Sequence, residues 1–189
     1  TADVVVVVVP LFVNISSEPD FASMDSATKL IGKYLKKRAL VCYETTLPIG
    51  TTSTRFIPSL EQNSNLTAGL DFSVVFSPER VYTGRIFADL AKYPKIVGGY
   101  TDSCAKKGKE FYNSVIDFDS RSDLIKPNGV WLMTNCEEAE FVKLAETTYR
   151  DVNIALVNQF AKFAGENKMN IYNVIEAANS QPYSHLHKP

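Results

Sequence analysis

The sequence predicts an α/β fold: a parallel sheet covered by helices, followed by a helical segment. Three observations lead there. The chain opens on A-D-V-V-V-V-V-V-P, a β-branched run without alternation, as in a strand covered on both faces. Short apolar runs at 39–43, 72–76, 95–97 and 130–133 then alternate with helical stretches, the pattern of parallel crossovers. Residues 136–168 finally hold one helical period with no proline to break it.

Taken in order, residues 4–9 form the first strand, ending at Pro10. So buried a strand, with nothing before it to cover it, implies a chain cut from something longer. Residues 20–37 read as an amphipathic helix with Leu30, Ile31, Tyr34 and Leu35 inward. A strand at 39–43 closes on E-T-T-L-P-I-G-T, and a helix follows at 52–62 with Pro58 as its expected kink. A polar turn at 63–70 precedes the strand 72–76, which ends in S-P-E-R. The strand 95–97 closes on Gly98-Gly99, and residues 101–113 form a helix capped by Thr101 or Asp102. Residues 116–128 are charged and irregular, 130–133 form the last strand, 171–178 a short helix, and Q-P-Y-S-H-L-H-K-P an unstructured tail.

The long helix has two characters. Asn135 or Thr134 can cap it, Glu137, Glu138 and Glu140 suit its first turn, and Gly165 lies near its end. Glu140, Lys143, Thr147 and Arg150 fall on a polar stripe, as on a working surface. From Ile154 onward apolar residues spread almost all round, as in a helix buried in an assembly.

Composition narrows the function. The 189 residues are 45% hydrophobic and 22% charged, as in soluble globular proteins. A net charge of −1 without a basic run argues against nucleic acid and anionic membranes, and the apolar run at 4–9 is too short to span a bilayer. Cys42, Cys104 and Cys136 are odd in number and lack metal-ligand spacing, favouring a reducing, cytoplasmic setting. His185 and His187 lack carboxylate support, so no metal is expected. A helix start lowers a thiol's pKa, yet Cys136 reads better as a packed thiol than as a nucleophile.

Ligands of open α/β sheets sit at the carboxyl ends of the strands. Three such ends carry unusual sequence: Val9-Pro10-Leu11, Glu44-Thr45-Thr46 and Ser77-Pro78-Glu79-Arg80. No G-x-G-x-x-G occurs, so the pyrophosphate turn of a dinucleotide fold is not in this chain. The order V-P at a strand end, E-T-T-L-P-I-G-T, F-S-P-E-R-V-Y-T-G, I-V-G-G, A-E-F-V-K-L-A-E-T-T-Y-R-D-V-N-I-A and H-K-P resembles the nucleotide-sugar 6-dehydrogenases, the UDP-glucose/GDP-mannose dehydrogenase family. P-E-R-V and Y-R-D-V-N-I-A point to its acetamido-sugar branch. The likeness covers nearly the whole chain outside 116–128.

That resemblance implies the second part of a Rossmann-like domain at 1–134, its first half missing, and a central helical dimerisation and substrate domain at 135–189. It implies NAD as cofactor, a UDP-sugar as substrate, and a homodimer through the 136–168 helix. The family oxidises a sugar's primary alcohol to a carboxylate with two NAD, through a cysteine thiohemiacetal and thioester. By resemblance Thr46 helps position water, Glu79 serves proton transfer in thioester hydrolysis, and Lys143 stabilises the oxyanion. Arg80, Val81, Tyr82 and Thr83 form the loop over the sugar, with Thr147, Arg150 and Asn153 as further contacts. Val9, Pro10, Leu11, Glu44, Thr45 and Thr46 line the nicotinamide side.

Two positions depart from the pattern: Thr147 stands where many relatives carry Asn, and Thr83 where glucose enzymes carry Glu. The family's G-G-H-C nucleophile motif follows the stretch matching His187-Lys188-Pro189, where this sequence stops, so the fragment is expected to be inactive alone. The rivals are a UDP-glucose or UDP-N-acetylglucosamine enzyme and, in another class, a non-catalytic dimerisation or binding module.

Overall fold

The computed structural model describes residues 2–189. The chain divides into two compact units, Thr1–Lys143 and Leu144–Pro189. The first is built on a five-stranded sheet ordered β1-β4-β5-β6-β7, with β1 at Val4–Val7, β4 at Leu40–Tyr43, β5 at Ser73–Phe76, β6 at Lys95–Gly99 and β7 at Val130–Met133. A separate two-stranded hairpin, β2 (Phe12–Val13) and β3 (Pro19–Asp20), follows β1; its strands are too short to leave a period in the sequence.

The α/β class holds, with one reversal in the expected parallel sheet. β1, β4 and β5 run parallel, as do β6 and β7, but β5 pairs with β6 antiparallel through Val75–Gly99 and Phe76–Gly98. The run K-I-V-G-G is buried at every position, so no pattern within it marks a direction. Among the described residues the valine run has one sheet neighbour, β4, and Val6 keeps 41% of its surface exposed.

Alternation along β4 sorts the core onto two faces. Val41 and Tyr43 join Met24, Phe56, Leu60, Val74, Phe76 and Cys136 on one side, beneath α1 (Ala22–Tyr34), α2 (Ile57–Ser64) and the start of α5 (Cys136–Glu166). Leu40 and Cys42 join Val75, Val97 and Tyr112 on the other, beneath α4 (Asp102–Val115). Gly98 and Gly99 are spacers for both layers. A Cβ at Gly98 would lie 2.1 Å from the Asn135 carbonyl oxygen, and one at Gly99 2.3 Å from the Ala105 nitrogen, so helix starts seat directly on β6.

Pro58 directly follows a π-helical turn, Thr52–Phe56, and falls in the first turn of α2, so the regular helix expected over 52–62 begins only at Ile57. A short helix, α3 (Ile86–Lys92), lies where the sequence indicated none.

α5 begins with Asn135 as its cap, the side-chain oxygen accepting the Glu138 N–H at 2.8 Å. Its stop is set by Lys168 rather than Gly165. Lys168 takes φ 58°, and Met169 N–H donates to the Ala164 carbonyl at 2.8 Å, closing a Schellman turn. In the second unit the tail after α6 (Ile171–Ala178) lacks regular structure but is tied down. Asn179 exchanges side-chain bonds with the backbone of Leu186, and Asn153 with that of His185 and His187. Tyr149, Val152, Leu156, Phe160 and Phe163 stand exposed on α5, so the apolar surface expected to be covered is open within this chain.

Candidate functional site

Parallel pairing brings the ends of β1, β4 and β5 to one edge of the sheet. There the Thr45 hydroxyl donates to the Val9 carbonyl at 2.7 Å, and the Glu79 N–H to the Glu44 carbonyl at 3.2 Å. These two bonds draw together the three strand ends singled out in the sequence. Pro10 and Thr46 are exposed there, while Val9 and Leu11 are half-buried.

Glu44 is turned inward. Its carboxylate accepts the Tyr112 hydroxyl at 2.6 Å and meets the Lys95 ammonium at 3.2 Å. The same ammonium reaches Glu79 Oε2 at 3.2 Å and lies 5.0 Å from the centre of the Tyr112 ring. Glu79 Oε1 accepts the Arg80 N–H at 2.9 Å. Burial drives the Tyr112 hydroxyl's pKa far up, with the charges of Cys42 and Glu44 adding to it, so this hydroxyl stays a donor.

The loop after Glu79 is held by α3. Buried Asp89 accepts the Tyr82 N–H at 3.0 Å and the Arg85 guanidinium at 3.0 Å, and the Arg80 guanidinium donates to the Pro94 carbonyl at 3.1 Å. Glu79, Arg80, Val81, Asp89 and Lys95 line a small cleft beside α3. Tyr82 and Thr83 lie exposed above it.

α5 is fastened to the loop that carries Thr46. Glu140, placed by sequence on a polar stripe, is wholly buried: its carboxylate accepts the N–H of Gly50 at 2.5 Å and the N–H and hydroxyl of Thr52 at 2.9 and 2.7 Å. The Ser53 hydroxyl donates to Glu137. Half-buried Lys143 follows Glu140 by one helical turn. In the second unit the Thr147 hydroxyl donates to the Leu144 carbonyl at 3.2 Å, Arg150 is an exposed partner of Asp151 at 3.8 Å, and Asn153 binds the tail.

Sequence reasoning missed Lys95, Tyr112, Asp89 and Glu140. For Lys95 the signal was a lysine opening an otherwise apolar buried strand. Cys136 is packed in the core, and burial pushes its thiol up to about 12, the opposite of an activated nucleophile. Among the described residues no helix is long and apolar enough to cross a membrane.

Known proteins resemble this chain in sequence and fold. The NAD binding domain of the UDP-glucose/GDP-mannose dehydrogenase family matches residues 1–116, and that family's central domain matches 137–189. The UDP-N-acetyl-D-mannosamine dehydrogenase of Pyrococcus horikoshii is 37% identical over 172 residues, covering 91% of this chain and 38% of the relative. A solved structure of the P. horikoshii enzyme superposes on the whole chain with a TM-score of 0.87 at 34% identity, and the chain spans 42% of it. That of the Staphylococcus aureus UDP-N-acetyl-mannosamine dehydrogenase does so with 0.82 at 32%, the chain spanning 43%. The chain thus spans about two fifths of the relatives it matches, and it belongs to the UDP-glucose/GDP-mannose dehydrogenase family.

Proposed function

We propose that this chain is part of an NAD-dependent dehydrogenase that oxidises the C6 primary alcohol of UDP-N-acetyl-D-mannosamine to the uronate, a precursor for polysaccharide, in the cytoplasm. The observation that carries the reading is the fixed carboxylate of Glu79 at the sheet edge it shares with Thr46. The names of the relatives support the sugar.

The residues at the strand ends suit NAD. Half-buried Val9 and Leu11 beside Pro10 offer an apolar wall, Thr45 locks that wall to the β4 end, and Thr46 stands exposed to solvent beside it. Glu44 supports this wall from behind through its bonds to Tyr112 and Lys95. When bound, NAD supplies the hydride acceptor. This chain's own residues handle water and protons. Thr46 orients a water molecule, and Glu79 takes a proton from it as it attacks the acyl carbon of a cysteine thioester. Lys143 faces the oxygen on which negative charge builds, where a preset cation contributes a few kcal/mol. Arg80, Val81, Tyr82 and Thr83 cover the sugar, and by the family resemblance Thr147, Arg150 and Asn153 are further candidate contacts. By the family resemblance the thioester cysteine is none of Cys42, Cys104 and Cys136, and this chain by itself is expected not to turn over.

The exposed α5 residues Tyr149, Val152, Leu156, Phe160 and Phe163 follow a three-and-four spacing and form one stripe, which a second copy of the chain covers in a homodimer. The test is the full-length protein carrying this chain, incubated with NAD and a panel of UDP-sugars. NADH forms with UDP-N-acetylmannosamine and not with UDP-glucose; NADH with UDP-glucose alone, or with no sugar, overturns the reading.

A further inference from the structure

The reversal of β6 has a chemical result. In a parallel arrangement the first residue of β6 would lie at the far edge of the sheet from Glu79. Antiparallel pairing instead continues from Val75–Gly99 and Phe76–Gly98 to set Glu79 opposite Lys95. The Ser77 hydroxyl donating to Ile96 O at 2.7 Å and the Arg80 guanidinium donating to Pro94 O follow the same register beyond the ladder. Lys95 therefore enters the edge from a direction no parallel strand could supply.

We infer that Lys95 is a positioning residue for Glu79, with Glu44 and Tyr112 as the anchor that holds Lys95 in place. The inference rests on the proposed role of Glu79 as base. A glutamate turns about three side-chain bonds, and a base must present one oxygen in one direction. Here each oxygen has a holder: Lys95 at 3.2 Å on Oε2 and the Arg80 N–H at 2.9 Å on Oε1. A carboxylate accepts about four bonds, so two holders leave capacity for a water molecule. Glu79 stays about one third exposed, open to such a water, whereas the Lys95 side chain is 6% exposed. The lysine cannot swing either. Its ammonium is held by Glu44 Oε1 at 3.2 Å, that oxygen accepts the Tyr112 hydroxyl, and the Tyr112 ring flanks the cation. The cluster spans the β4 end, the β5 end, the β6 start and α4.

The competing account is that Lys95 only neutralises buried Glu44. Two variants separate them, because Lys95→Met alone strands a buried carboxylate and risks unfolding. Glu44→Gln keeps the Lys95–Glu79 contact, and the double variant Glu44→Gln/Lys95→Met removes it without leaving a buried charge. In the full-length protein, kcat of the double variant falls about tenfold or more below that of Glu44→Gln, with KM for NAD and sugar within about twofold, and Lys95→Arg keeps most of the wild-type kcat. Equal kcat in the single Glu44→Gln variant and the double variant overturns the inference. A second arm needs no turnover. In the full-length protein, the 13C resonance of the Glu79 carboxyl, assigned with Glu79→Gln, moves towards that of free glutamate in the double variant and keeps its place in Glu44→Gln. An unmoved resonance refutes the clamp, whatever the enzyme does. A moved resonance without turnover on any UDP-sugar upholds the clamp and removes the dehydrogenase reading.

Discussion

Glu44 and Glu140 are two buried glutamates at the same end of the sheet, made tolerable by opposite means. Glu44 meets a full positive charge on Lys95 plus a phenol hydroxyl. Glu140 is met only by dipoles, the N–H groups of Gly50 and Thr52 and the Thr52 hydroxyl. A charge can serve two acceptors, so Lys95 also reaches Glu79. The dipoles around Glu140 are directional and belong to a single loop, so Glu140 fastens α5 to that loop and does nothing else visible. The contrast separates a carboxylate that organises a reactive edge from one that joins two elements.

The largest effect expected is on the charged arrangement. Lys95→Met leaves Glu44 buried without its cation, and breaking such a pair costs about 3–5 kcal/mol. Urea denaturation should show that loss, with most of it recovered in Glu44→Gln/Lys95→Met. A loss below about 1 kcal/mol would mean that Tyr112 alone suffices for Glu44. Glu140→Ala comes next. It orphans two N–H groups and a hydroxyl next to the π-helical turn, an expected loss of about 2–3 kcal/mol by the same measurement. If the loss stays near that of an exposed glutamate, the loop is held by other contacts.

A smaller effect concerns pH. Burial raises the Glu140 carboxyl above its ordinary 4.5, although the Thr52 and Gly50 bonds pull it down. The folded chain therefore keeps this proton at a pH where the unfolded chain has lost it. Its contribution is complete below about pH 4.5 and is lost as pH rises through the elevated folded value. Asp25 does the opposite: the Arg55 hydrogen bond holds its carboxyl below 3.8, so its contribution is present above that value and lost as pH falls through the lowered one. Denaturation midpoints of wild type and Glu140→Gln, compared from acid upward, should show the wild-type protein losing ground as pH rises past 4.5. A constant difference would remove Glu140 from the titration.

The smallest effect is at the solvent-facing pair. Arg55 forks onto Asp25 at 2.8 and 2.6 Å and lies 4.3 Å from the centre of the Phe21 ring. Arg55→Ala should cost only about 0.5–1 kcal/mol, and added salt should shrink it further. If it rivals Lys95→Met, burial is not what sets the two buried glutamates apart.

What could be read in advance follows from the range of the signal. α5, α6 and β7 were legible because their period or boundaries are local, with Asn135 as a recognisable cap. α3 has seven residues and no side-chain cap, and β2 and β3 two residues each, too little for any pattern. The direction of β6 depends on where the chain travels after Phe76, which K-I-V-G-G does not encode. The site divides the same way. Glu79 stands out in a motif, but Lys95 resembles any lysine at a strand start until the reversed register sets it across from Glu79. Glu140 reads as a polar stripe residue because the loop that buries it lies some ninety positions earlier.

β1 has consequences beyond the site. Among the described residues its only sheet neighbour is β4, so its other flank turns main-chain amides and carbonyls outward along four valines that keep it extended. A rung of that kind accepts any compatible peptide by backbone bonding alone. Handled by itself, the 189-residue chain thus has a sticky seam that recognises no side chain, and clumping at high concentration need not involve the helical stripe. A proline or lysine at Val6 would blunt that seam and leave the interior untouched.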